Sequence, residues 1–340
     1  MFVPEITPYD KKIYREYLAD FLPEFIIDVH THIWKENFVK SLEARGCVTW
    51  TNRVARECVF EDLAAVYTQV FPGKTVKPII MGNPAADLNE TNAYAAECAK
   101  KSGLPALFCT SYNTPETKIR QALASGGFAG IKPYLSNSPE YIPPDEIRIF
   151  DFLPREHLKI ADELQKAVML HIPRPGRLKD PVNTAQLMEI DACYPNAKII
   201  IAHIGRAYTE EDIGAAFEIL RGSKNLLFDF SANTSDKAMI ECIKAVGTKR
   251  VMFGSDMPIT KMRMYRISEN GLYKNVVPRG LYGDVSGDKN MKESDETDIT
   301  FFIYEELKAF RRAAEYLHLT KSGLADIFYG NAAELFGVNI

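Results

Sequence analysis

Eight short apolar runs punctuate the chain: Phe25–His32, Pro78–Gly82, Ala106–Ser111, Phe128–Tyr134, Ala167–Ile172, Lys198–His203, Leu226–Ser231 and Arg250–Ser255. Most are nearly continuous rather than alternating, as in Ile199-Ile200-Ile201 and Leu226-Leu227-Phe228. A strand buried on both faces has no polar side to show, so this texture predicts parallel strands covered by helices. Helix-start signals stand between the runs. Thr114-Pro115-Glu116 supplies a cap, a proline and an acid. Thr209-Glu210-Glu211-Asp212 and Ser235-Asp236 each supply a hydroxyl cap followed by acids that the helix dipole favours.

Strand then helix, eight times over, predicts an α/β fold of the (β/α)₈ TIM-barrel kind, with an open doubly wound sheet as the structural alternative. Residues 1–340 read as one domain, with an N-terminal helical extension over 1–24 and the barrel over 25–337. Two stretches are longer than a barrel needs. Lys35–Lys77 follows the first strand and holds an excursion around Cys47–Phe60. Met257–Asp298 follows the eighth, with glycines at 271, 280, 283 and 287 and a polar run from Asp284. Long loops at the C-terminal ends of barrel strands are where substrates are gripped.

Composition narrows the function classes. A 340-residue chain that is 46% hydrophobic can bury a large core. A net charge of −4 gives no polycationic face, which argues against nucleic acid. No apolar run is long enough for a membrane helix, and the first twenty residues read as neither signal peptide nor anchor. The six cysteines, Cys47, Cys58, Cys98, Cys109, Cys193 and Cys242, are scattered without a CxxC pair, which fits free thiols in a cytoplasmic protein. A homodimer is the default expectation for assembly.

The candidate chemistry lies where strands end. In Asp28-Val29-His30-Thr31-His32 the alternation of a strand puts His30 and His32 on one side, after an inward Asp28. Four of the six histidines end predicted strands: His30, His32, His171 and His203; Asp256 ends the eighth, in Gly254-Ser255-Asp256. Barrel enzymes keep catalytic groups at those ends. Imidazoles with a carboxylate suit a single divalent ion, Zn²⁺ first, with Mn²⁺ or Fe²⁺ as alternatives, and with a coordination position left open. His157 and His318 fall in predicted helices and read as surface or packing residues.

Arg174, Arg177, Arg206, Arg263 and Arg266 lie just beyond these residues. Guanidinium forks at a rim suit a small substrate bearing a carboxylate or phosphate. Tyr134 and Asn233, also at strand ends, are further candidates for substrate contact.

The ordered set resembles the amidohydrolase superfamily: Asp-x-His-x-His on strand one, Gly130-Ile131-Lys132 on strand four, histidines ending strands five and six, and Gly-Ser-Asp on strand eight. Its closest likeness is to the amidohydrolase-related branch, which holds hydrolases and non-oxidative decarboxylases. The closing Tyr329-Gly330-Asn331-Ala332-Ala333-Glu334-Leu335-Phe336 is similar to that branch's C-terminal helix. The resemblance implies that His30, His32, His171 and Asp256 bind one metal, that Asp256 also moves a proton, and that His203 polarises substrate or holds water. It leaves Lys132 open between a structural or substrate-binding ammonium and a carbamylated bridge between two metals. It implies a metal-dependent hydrolase of a small lactone, amide or ester, with a decarboxylase as the alternative. A barrel that binds metal without catalysis is a third reading.

Overall fold

Strands β1 (Phe25–Ile33), β2 (Thr75–Gly82), β3 (Ala106–Thr110), β4 (Phe128–Pro133), β5 (Ala167–Leu170), β6 (Lys198–Ile201), β7 (Leu227–Asp229) and β8 (Val251–Met252) pair in parallel in chain order. Each overlaps one of the apolar runs. The protein is described here from a computed structural model, over residues 5–39, 50–124 and 127–340. The β1–β8 seam is closed by backbone bonds: Val29 N–H donates to the Phe253 carbonyl at 3.1 Å, Asp256 N–H to that of His30 at 2.7 Å, and His32 N–H to that of Met257 at 2.7 Å. The sheet is therefore a barrel rather than an open, doubly wound sheet.

Two apolar layers follow from the period-two alternation of strands. Ile27, Val29, Met81, Leu107, Met169, Ile200 and Met252 fill the interior, and Ala332, Phe336 and Val338 close it from below. Their neighbours Ile26, Ile131, Val168, Leu170, Ile199, Ile201 and Phe228 face the surrounding helices. A filled interior leaves the rims as the places where chemistry can occur.

The helix-start signals are used, with one change of form. Helix Glu116–Ala124 begins at the predicted acid. Ser235 Oγ caps helix Asp236–Val246 by accepting from Ala238 N–H at 3.2 Å. Thr209 and Asp212 form a reciprocal capping box, but over a 3₁₀ turn, Glu210–Asp212, with helix Ala216–Leu220 following. His157 is buried in helix Arg155–Glu163, its Nε2 on the Thr114 carbonyl. His318 sits in the left-handed turn after helix Phe302–Tyr316, at φ 51°, rather than in a helix.

The N-terminal segment folds as helix Pro8–Ile13, continued by a π-helical turn over Tyr14–Leu18. Tyr14 packs against Tyr304 of helix Phe302–Tyr316 at a ring distance of 6.1 Å. The stretch after β8 carries a second sheet: β9 (Tyr265–Glu269), β10 (Leu272–Pro278) and β11 (Met291–Ser294). Its β9–β10 turn is Asn270-Gly271, both at positive φ (54° and 73°), a turn chemistry that favours hairpins. The excursion after β1 contributes helices Trp50–Val54 and Phe60–Val70; Cys47 lies outside the described residues. The two excursions touch: Trp50 Nε1 donates to Asp288 Oδ2 at 2.5 Å, and Arg53 Nη1 to the Asp284 carbonyl at 2.7 Å. Cys58, Cys98, Cys109 and Cys242 are buried free thiols and Cys193 is exposed.

Candidate active site

At the C-terminal rim the strands deliver their polar ends to a cavity of about 210 Å³, lined by His30, His32, Lys132, Tyr134, His171, His203 and Asp256 together with Trp34, Asn83 and Tyr208. Simple alternation accounts for several of these. Met169 and His171 share the interior side of β5, and Met252, Gly254 and Asp256 that of β8. Gly254 is required: a Cβ there would meet His30 Cβ at 2.8 Å.

Two placements break the alternation. The register of β1 on β2 shifts between Asp28 and Thr31. Before the shift Asp28 shares the outer side with Ile26 and accepts from Tyr67 of helix Phe60–Val70 at 2.7 Å, so the expectation that it faces inward is corrected; past it His30 and His32 line the cavity. By alternation His203 would lie with Ile199 and Ile201 on the outer side. Strand β6 ends at Ile201, and His203–Arg206 run through four successive left-handed residues (φ 58°, 49°, 59° and 63°), which accompany a His203 ring 4.8 Å from that of His30. Asp256 is left-handed too, at φ 59°. Non-glycine residues in this region cost of order 1 kcal/mol each and gather at functional sites.

Hydrogen bonds fix the protons of three imidazoles. His30 Nδ1 lies 2.9 Å from Asp229 Oδ2, His32 Nδ1 2.9 Å from the Gly82 carbonyl, and His203 Nδ1 2.9 Å from the Ser231 carbonyl. All three partners are acceptors only, so each Nδ1 carries the hydrogen and each Nε2 presents a lone pair. Asp229 is the organiser. Its Oδ1 accepts from His203 N–H at 2.8 Å, Ser231 N–H at 3.1 Å and Ser231 Oγ at 2.5 Å, while Oδ2 takes His30.

Burial sets the charge states. It holds the pKa of His32 and of His203 down at about 3, and those of His30 and His171 well below the usual imidazole value. It lifts Asp256 well above the carboxylate range, against the pull of Lys132. It lowers Lys132 to about 8 and raises Asp28 to about 7. The neutral imidazoles are already in the form that a divalent ion binds, and the ion's charge would overcome the resistance of the Asp256 carboxyl to ionisation.

The donor set fits such an ion. His30 Nε2 and His32 Nε2 each lie 3.6 Å from Asp256 Oδ1, and the three residues bring ligand atoms within 4.8 Å of one another. Ligands held at about 2.0–2.2 Å from one first-row ion stand about 3–4 Å apart. His171 lines the same cavity, 5.2 Å ring to ring from His203, yet stands outside that tight set; its Nδ1 is buried with no hydrogen-bond partner. A second cluster, His30, His203 and Asp229, is close enough for an ion, but His30 Nδ1 is already bonded to Asp229 Oδ2 and His203 Nδ1 to the Ser231 carbonyl. Lys132 is buried with Nζ 3.4 Å from His30 Nε2.

None of the five arginines lines the cavity among the described residues. Arg263 pairs with Asp10 at 2.7 Å and donates to the Glu5 and Ile299 carbonyls, tying down the N-terminal helix. Arg177 pairs with Asp212 at 2.6 Å, and Arg174 with Asp180 at 3.1 Å. Arg206 Nη1 is spent on the Ile172, Pro173 and Arg174 carbonyls, although its charge is near enough to oppose protonation of His171. Asn233 bonds the His203 and Ala207 carbonyls and so holds the left-handed turn instead of a substrate. Asp229 and Ser231, which the sequence reading missed, carried the same signal as His30 and His32: polar residues two apart at the end of an apolar strand.

A family model described as amidohydrolase matches residues 27–269. No curated protein sequence matches the chain. Among solved structures, an amidohydrolase from Burkholderia multivorans with bound zinc is similar at 15% identity and TM-score 0.60, over 93% of this chain and 100% of that one. A Pseudomonas putida protein, proposed as a 2-pyrone-4,6-dicarboxylic acid hydrolase, is similar at 15% identity and TM-score 0.57, over 94% and 100%. A dihydroxybenzoic acid decarboxylase from a Polaromonas species, with manganese and 2-nitroresorcinol bound, is similar at 13% identity and TM-score 0.53, over 94% and 98%. At such identities the structural likeness is one of fold. The family match runs from within β1 to the end of β9, across the whole rim just described, and on it the chain belongs to the amidohydrolase family of enzymes.

Proposed function

We propose that this enzyme is a metal-dependent hydrolase that opens a small, anionic lactone, amide or ester. The observation that carries the reading is the set of Nε2 lone pairs on His30 and His32 facing Asp256 across 3.6 Å, each fixed by a hydrogen bond at the far nitrogen. His30, His32 and Asp256 would hold one divalent ion, with the unpartnered Nδ1 of His171 as a further donor. Zinc is the first choice, with manganese or iron(II) as alternatives. When bound, such an ion polarises a carbonyl and acidifies a water.

The protein's own groups do the rest. Asp256, whose proton affinity burial raises, takes a proton from the attacking water and returns it to the leaving group. His203 is a neutral acceptor at Nε2, since its Nδ1 hydrogen is engaged by Ser231. It therefore orients the water and does not donate to a developing oxyanion, which favours the second of the two roles the resemblance implies, holding water, over polarising the substrate. Lys132 is the cation beside the ligands and suits an oxygen that gains charge, or a substrate carboxylate. A carbamylated bridge is disfavoured, because the neighbouring donors that a second ion would need are already engaged, His30 Nδ1 with Asp229 and His203 Nδ1 with the Ser231 carbonyl. Tyr134 offers a ring face, and the small cavity limits the substrate to about one ring with few substituents.

A second reading, non-oxidative decarboxylation, is favoured by the decarboxylase among the similar folds. There Asp256 would protonate carbon as CO₂ leaves. Turnover in ¹⁸O-labelled water separates the two. Label in the product supports hydrolysis; CO₂ release without label overturns it in favour of the lyase.

A further inference from the structure

Two of the arginines that do not reach the substrate cavity, Arg266 and Arg177, meet behind one of its walls. Arg266, on β9, holds its guanidinium 4.4 Å from the ring centroid of Tyr208 and 4.8 Å from that of Tyr273 on β10. Arg177 sits 4.6 Å from Tyr273 and 5.6 Å from Tyr208. The two tyrosine rings meet edge to face at 5.1 Å. Asp212 neutralises Arg177. Arg266 has no carboxylate within 4.0 Å among the described residues: its Nε donates to Asn275 Oδ1 at 2.9 Å, its Nη1 to the Ala232 carbonyl at 3.0 Å, and its third ring contact is Phe302 at 4.9 Å. A whole positive charge is thus held by neutral dipoles and ring faces, directly behind Tyr208.

Tyr208 is the member of this stack that lines the cavity, and its ring lies 6.5 Å from that of His203. Its hydroxyl has no hydrogen-bond partner among the described residues and is not sealed from solvent. We propose that Tyr208 is a specificity-determining residue whose hydroxyl donates to an anionic oxygen of the substrate, and that Arg266 is its positioning residue, reaching the cavity wall from the hairpin inserted after β8. Two effects make this arrangement selective. A guanidinium against the ring face pins the ring, so little rotamer freedom is lost on binding. Its unneutralised charge, one ring away from the cavity, polarises the phenol towards donation and attracts anions. The inference rests on the reading of the cavity as a substrate pocket for a small anion.

Calorimetric titration with benzoate, and with benzyl alcohol as its uncharged counterpart, tests it without knowledge of the natural substrate. Tyr208→Phe should weaken benzoate binding about tenfold, the effect of one hydrogen bond to a charged group, and leave benzyl alcohol within about twofold. Arg266→Met should cost a similar factor in the wild-type background and little more in the Tyr208→Phe background, with Arg266→Lys recovering part of it. Unchanged benzoate affinity in Tyr208→Phe, additive losses in the double variant, or equal losses for both probes would overturn the proposal. So would wild-type protein that fails to bind benzoate at millimolar concentration. Metal content measured on the same samples keeps that failure distinct from a failure of the metal-site reading. If Arg266→Met does not fold, the two-probe comparison on Tyr208→Phe decides alone.

Discussion

The barrel has two ends, and both carry a hollow. The floor cavity is the larger, about 1040 Å³ against about 210 Å³ at the mouth, and Lys77, Lys100 and Lys166 border it. Yet no set of ligand atoms converges there among the described residues. Lys77 is spent on the Asn339 carbonyl at 2.7 Å, and the base of the barrel is sealed by apolar groups of the C-terminal segment. The mouth is small, but it holds buried imidazoles, a buried lysine and two left-handed residues, His203 and Asp256. Polar groups placed in strained backbone at the cost of desolvation, rather than volume, distinguish the mouth from the floor and make it the candidate for chemistry.

The comparison can be broken most sharply at Asp256. Asp256→Asn keeps the shape and removes the proton carrier, so kcat on any substrate found by screening should fall about 10²–10⁴-fold. A fall of less than about tenfold would leave this carboxyl as a ligand or a filler.

A smaller effect concerns acid stability. The folded protein holds His203 at about 3, below its ordinary 6.5, so it binds fewer protons than the unfolded chain between those values. Stability from this source is present above pH 6.5 and is lost as pH falls towards 3. Asp28, raised to about 7, acts in the opposite sense: its contribution declines as pH rises from about 4 to 7. The histidine share is therefore best isolated by difference. The stability gap between wild type and His203→Asn should shift against the wild type by about 1–2 kcal/mol between pH 7 and pH 5, read from denaturant melts. A gap independent of pH would mean that His203 is not held neutral by burial.

The smallest effect belongs to the floor. Lys100→Ala and Lys166→Ala should leave kcat/KM within about twofold and stability within about 0.5 kcal/mol, as for surface changes away from special features. A tenfold loss of activity would show that the floor cavity takes part in function.

Much of this was legible in the sequence, for a stateable reason. All eight strands announce themselves because strands buried on both faces must be apolar throughout, and the polar residues that end them stand out against that background. His30, His32, His171, His203 and Asp256, which line one cavity in the structure, stand out in this way. Asp229 and Ser231 were equally visible but lack the imidazole that draws attention. Three kinds of error have physical causes. Alternation fails at a register shift, which is why Asp28 was placed inward. A 3₁₀ capping turn and an α-helix start share the same hydroxyl-and-acid signal, so Thr209–Asp212 read as an α-helix. Arginines close in sequence to a strand end can turn away from it, as Arg177 and Arg263 do, because their partners Asp212 and Asp10 come from distant segments. The β9–β10 hairpin had a cue in Asn270-Gly271 that the polar composition around it obscured.

The central claim is convergence on one ion. Its most direct test is elemental analysis of the purified protein beside His32→Ala and Asp229→Asn. The account predicts about one equivalent of a single divalent metal in the wild type, none retained in His32→Ala, and affinity weakened about 10–100-fold in Asp229→Asn, where the His30 orienting bond is impaired. Wild-type protein that is active without metal, or a His32→Ala protein that keeps a full equivalent, would contradict it.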